Sequence, residues 1–84
     1  MTLYMVIDHK GYVRPYTSFK EAKRIFEQMV SACKHVQADN ETFRYRFINV
    51  QDGNDTIKQF QSNYKNMNGK WINEWYTLQT TIID

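Results

Sequence analysis

Cys33 and His35 bring the chain's single thiol within two positions of one of its two imidazoles. That pairing would serve nucleophilic catalysis if the ring nitrogen could reach the sulfur. On a helix, however, positions two apart point about 200° away from each other, so no hydrogen-bonded pair forms. Cys33 therefore reads as an unreactive thiol on an apolar stripe. His35 reads as an imidazole complementing the negative end of a helix dipole, and His9 as a solvated turn residue. Asp8 and Glu74 would have to meet across a sheet to act as paired carboxylates, and no sequence spacing imposes that meeting. Asp52-Gly53-Asn54-Asp55 begins like a calcium loop but lacks the alternating acidic positions and the distant bidentate glutamate. The glycines at 11, 53 and 69 are isolated from one another, so they build no phosphate cradle. The expectation is a protein that is not an enzyme, with no catalytic residue, no metal site and no cofactor.

Binding chemistry is better represented. Phe43-Arg44-Tyr45-Arg46-Phe47 alternates three aromatics with two arginines and runs on into Ile48-Asn49-Val50. As a strand, it sends the aromatics to one face and the guanidinium groups to the other. Aromatics on an open sheet face would stack unpaired bases. The tract resembles, over a few residues, the aromatic strands of RNA-recognition-motif domains, and Leu3-Tyr4-Met5-Val6 resembles their first strand. It lacks that family's glycines within the aromatic strand, and the element order matches only if residues 55–66 are helical. The competing arrangement buries the aromatics beneath a helix and leaves Arg44 and Arg46 outside. Strand registers that the sequence does not fix would then decide whether they share that face with Trp71 and Trp75; arginine and tryptophan are among the residue types most enriched at the energetic centres of protein interfaces.

Composition narrows the classes further. The chain has 84 residues, 42% hydrophobic and 24% charged, as expected for one compact domain spanning 1–84 with a single core. A formal net charge of +2 excludes an acidic nucleic-acid mimic and does not by itself indicate nucleic-acid binding. No apolar run approaches the roughly 20 residues of a membrane span, so no membrane partner is expected. A first segment without a basic run or small-residue cleavage site, together with a lone cysteine, suits a cytoplasmic location.

The elements that must position these residues follow from periodicity and punctuation. Residues 2–8 read as a strand with Leu3, Met5 and Ile7 on one face, and the chain returns through Tyr12 and Val13. Pro15 is expected to end that strand or lead into a helix. Ser18 and Glu21 stand at capping-box spacing. From Phe19 onward, Ala22, Ile25, Phe26, Met29, Cys33 and Val36 recur at helical spacing opposite a charged face, which predicts a helix of about five turns. Residues 42–50 read as a strand. Residues 55–66 fit a helical period, but flanking Asp-Gly and Asn-Gly turns favour a strand in a meander. Residues 70–83 read as a long strand, with Ile72, Tyr76, Leu78 and Ile82 on one face and Trp71 and Trp75 on the other. The expected class is α+β: a single antiparallel sheet of four or five strands in the order ββαβββ, with one long amphipathic helix on one face.

One helix leaves the other sheet face open, and two tryptophans on it invite a partner or self-association. The expectation is a small non-catalytic protein-binding module that occludes a surface of a larger protein through Arg44, Arg46, Trp71 and Trp75. Its most specific form is an inhibitor of a host or defence enzyme, encoded by a phage or mobile element. The alternative is single-stranded RNA binding by Phe43, Tyr45 and Phe47, with Lys58, Lys65 and Lys70 on phosphates.

Overall fold

Ser18 starts the helix as expected: its Oγ accepts a hydrogen bond from the Glu21 amide at 3.3 Å. The reciprocal half of the capping box does not form, because the Glu21 carboxylate accepts from Arg24 Nη2 at 2.6 Å. A computed structural model describes residues 1–83. It gives strands β1 (Thr2–Ile7) and β2 (Val13–Tyr16), helix α1 (Phe19–Val36), then strands β3 (Arg44–Asp52), β4 (Asp55–Lys65) and β5 (Trp71–Ile82). All five strands form one antiparallel sheet in the spatial order β2-β1-β5-β4-β3. The class is α+β.

The second half is a meander whose registers are set by its turns. β3 and β4 meet through Gly53 and Asn54, with Asp52 opposite Asp55. Only Gly53 of these two has positive φ, at 60°, the backbone pattern of a type II′ hairpin. Between β4 and β5, Asn66 Oδ1 accepts from the amides of Asn68 and Lys70 at 2.9 and 3.0 Å. Residues 55–65 are thus strand, so the element order departs from that of RNA-recognition-motif domains. Pro15 is the penultimate residue of β2, opposite Met5, and the chain passes from there into α1. β2 is an edge strand, where a missing amide proton is tolerated.

α1 packs against β5, β1 and β2. Its buried stripe of Ala22, Phe26, Val30 and Cys33 meets Val6, Tyr76 and Leu78, with Tyr4 and Tyr16 at the margin. The face that Leu3, Met5 and Ile7 share is the other one, since Tyr4 and Val6 occupy the helix side of β1. β1 lies between β2 and β5 and is apolar on both faces. Phe60, on β4, is fully buried and belongs to the same core cluster as the α1 stripe. Neighbouring rings complete its cover, with centroids of Phe47, Tyr45 and Tyr76 at 5.2, 5.4 and 6.1 Å.

Phe60→Ala is therefore expected to cost about 3–5 kcal/mol, on the order of the whole stability of so small a domain. Urea or thermal unfolding followed by circular dichroism should show the cooperative transition lost or greatly lowered. Val36→Ser, at a stripe position that is 74% exposed, should shift stability by less than about 0.5 kcal/mol.

Candidate protein-binding face

Strand alternation and the β3–β4–β5 registers place Arg44, Arg46, Trp71 and Trp75 on the sheet face that α1 does not cover. Arg46 stands opposite Gln61, which stands opposite Trp75. Arg44 stands opposite Asn63, which stands opposite Asn73. Six of these residues line one shallow cleft of about 330 Å³: Arg44, Arg46, Gln61, Asn63, Asn73 and Trp75. Trp71 lies further along, at the β4–β5 turn, with Lys65 Nζ 5.2 Å from its ring centroid. The two tryptophans are 53% and 52% exposed, too wet to act mainly as core.

The Arg46 side chain is held in place. Its Nε donates to Gln61 Oε1 at 2.8 Å, Gln61 Nε2 donates to Gln59 Oε1 at 2.7 Å, and Gln59 Nε2 donates to Thr77 Oγ1 at 3.0 Å. This chain crosses three strands and fixes the guanidinium before any partner arrives, lowering the entropy cost of binding. Arg44 Nη1 donates to the carbonyls of Glu41 and Phe43 at 2.9 and 2.8 Å. Among the described residues, no carboxylate oxygen lies within 4.0 Å of either guanidinium. Two positive charges with free donors thus line one side of the cleft, across β4 from an exposed indole.

Phe43, Tyr45 and Phe47 lie on the helix side of the sheet, Phe43 against the margin of the core cluster. Phe43 packs on Tyr64 and Tyr45, while Tyr45 and Phe47 remain 48% and 42% exposed. Lys34 Nζ sits 4.4 Å from the Tyr45 centroid, and Lys58 Nζ sits 5.5 Å from that of Phe47. Of the lysines assigned to the RNA alternative, Lys58 therefore joins the aromatics. Lys65 lies across the sheet beside Trp71, and Lys70 follows the turn at Gly69. Lys34, not anticipated from the sequence, takes their place.

Two further outcomes concern the chemistry-bearing residues. Cys33 is buried, its Sγ donates to Ser62 Oγ at 3.9 Å, and burial pushes the thiol pKa up, as suits an unreactive group. His9 is not a free turn residue. Its Nε2 lies 3.3 Å from Glu74 Oε2, and its ring meets Tyr76 edge-on at 5.5 Å. Glu74 also accepts hydrogen bonds from the hydroxyls of Tyr64 and Tyr76. It thereby ties the β1–β2 turn to β5 and β4 beside a cavity of about 380 Å³ that Asp8 also lines. The carboxylate thus has three partners, His9, Tyr64 and Tyr76.

Gln61 and Asn63 were within reach of the sequence. An Asp-Gly turn that sets 52 opposite 55 also sets 46 opposite 61 and 44 opposite 63. The Glu74 cluster was not, because it depends on β1 pairing with β5. Comparison with protein-family models, curated proteins and solved structures finds no match.

The Glu74 cluster generates a test at high pH. Donation to Glu74, with burial second, pushes the Tyr64 hydroxyl from 10.0 up to about 12. The folded protein then holds a proton that the unfolded chain releases. The stabilisation is complete below about pH 10 and is lost as pH rises through about 12. Glu74→Gln should lower the tyrosinate titration of Tyr64 toward its ordinary value and move alkaline unfolding to lower pH. An unchanged titration would show that Glu74 does not hold that proton.

Proposed function

We propose that this protein is a non-catalytic protein-binding module that uses its uncovered sheet face to occlude an acidic, partly apolar surface on a larger protein. The observation that carries this reading is the cleft in which Arg44, Arg46 and Trp75 converge, with Arg46 already fixed by Gln61. An indole supplies apolar area at little entropic cost, and uncompensated guanidinium groups supply orientation and partner choice. A rigid sheet carrying its contacts on strands rather than loops suits blocking a surface. Inhibition of a host or defence enzyme, by a protein encoded on a phage or mobile element, is the specific form in which such a module would act.

Tagged protein incubated with host lysate should retain a partner that survives nuclease treatment. Arg44→Glu combined with Arg46→Glu should abolish that retention while leaving the melting transition intact, because both side chains lie outside the core. Trp75→Ala should weaken retention at least tenfold, on the order of 1.4 kcal/mol or more, with a smaller loss of stability. Retention indifferent to both variants would remove this face from the function.

A second reading rests on Tyr45 and Phe47, half-exposed beside Lys34 and Lys58. Under it, a labelled single-stranded RNA would bind at low salt, with an affinity falling steeply as salt rises. Absence of binding at low salt would eliminate it.

A further inference from the structure

The two edges of the sheet are built differently. β2 spans four residues and carries Pro15, two devices that discourage pairing with another strand. β3 spans nine residues without proline, glycine or any break in its register with β4. α1 packs toward the other side of the sheet and leaves this long edge open.

The polarity of that edge follows from the turns. Asp52 and Asp55 close a two-residue hairpin and therefore form a hydrogen-bonded pair. The Asn66 amide donates to the Lys70 carbonyl at 2.9 Å, so the even residues of β4 bond toward β5 and its odd residues toward β3. On β3 the even residues consequently bond to β4, and the odd residues turn their amides and carbonyls outward. Phe43 satisfies its own, donating to the Asn40 carbonyl and accepting from Arg44 Nη1. Among the described residues, the outward backbone groups of Tyr45, Phe47, Asn49 and Gln51 have no protein partner.

We propose that this edge pairs antiparallel with the same edge of a second copy of the chain, in the register that sets Ile48 opposite its own counterpart. That register pairs all nine residues of β3. It sets Tyr45 against Gln51 and Phe47 against Asn49, so every outward backbone group meets an outward group of the other copy. It also sets Arg44 against Asp52 at both ends, and Arg46 against Val50. A register centred on Tyr45 would oppose Arg44 and Arg46, and one centred on Arg46 would oppose two copies of Arg46; like charges opposed across strands destabilise pairing. The symmetry axis runs perpendicular to the sheet, so both helices lie on one side. There the half-exposed Phe47 rings of the two copies become diagonal neighbours. The ten-stranded sheet that results displays both Trp75 clefts on its other side.

Sedimentation velocity from micromolar to millimolar concentration should show a monomer–dimer equilibrium. Arg44→Glu alone sets two carboxylates against each other at both ends of the pairing, and Asp52→Lys alone sets two cations there. Each should raise the dimer dissociation constant about tenfold or more, since two attractive cross-strand pairs become two repulsive ones. An equimolar mixture of the two variants should restore dimerisation, because each copy then supplies what the other needs. Amide exchange at Tyr45, Phe47, Asn49 and Gln51 should slow as the native protein is concentrated, while Arg46 and Ile48 stay protected throughout. A native chain that remains monomeric at millimolar concentration overturns the proposal, as does a dimer indifferent to the charge changes or without slowed exchange at these amides. Asp52 does not line the Arg46–Trp75 cleft, so loss of self-pairing in Asp52→Lys is distinguishable from loss of partner binding.

Discussion

A helix about 10 Å across cannot cover five strands spaced about 4.8 Å apart, which span about 19 Å. α1 is placed over β5, β1 and β2, and the consequences run through the rest of the molecule. The β3–β4 side lies at the margin of the helix, so its share of the core is completed by its own rings. Phe60 is enclosed by Tyr45, Phe47 and Tyr76, and two of those rings are left half in water. With one layer on one side only, the opposite face must also live with solvent. It does so with a mixed surface in which glutamines and threonines bond to each other across strands between partly buried aliphatic side chains.

The same constraint explains why aromatic and cationic residues cooperate here. A ring that cannot be buried still carries a negative π-face, and an ammonium group laid over it gains a partner while shielding it. Lys34 over Tyr45, Lys58 near Phe47 and Lys65 over Trp71 are three instances at the thinly covered end of the sheet. The guanidinium groups of Arg44 and Arg46 lack such an arrangement. They are bound to neutral amides and carbonyls, which orient them without consuming their charge. Charge held in position but not neutralised distinguishes this part of the surface from the solvated helix face, where Arg24 and Lys23 lie beside Glu21 and Glu27.

How much could be read in advance depended on whether the deciding interaction was local. The helix was legible because Ser18 sets its start and a 3.6-residue period marks its buried side. β4 was legible from its bounding turns rather than from its own residues, whose period suits a helix equally well. Alternation put Arg44 and Arg46 on one face, but their sharing it with Trp75 depended on the β4–β5 register, which the structure supplies. The face to which Leu3, Met5 and Ile7 belong depends on β1 being interior to the sheet. The meeting of His9 with Glu74 likewise depends on a register between strands at opposite ends of the chain. Neither has a local signature. Pro15 stands one residue before the end of its strand and three before the N-cap of α1, as a residue that ends a strand or leads into a helix should.

The interior position of β1 also orders the assembly of the fold in time. β3, β4 and β5 are joined by tight turns and can zip together through contacts close in sequence. β1 pairs locally with β2 but joins the meander only through β5, with Thr2 opposite Ile82, the pairing of longest sequence separation in the sheet and the one with the largest loop-closure cost. Until that closure, Val6 is missing from the core and α1 has only part of its platform. The hairpin pair and the helix can form early, but the cooperative core exists only once β5 has been made.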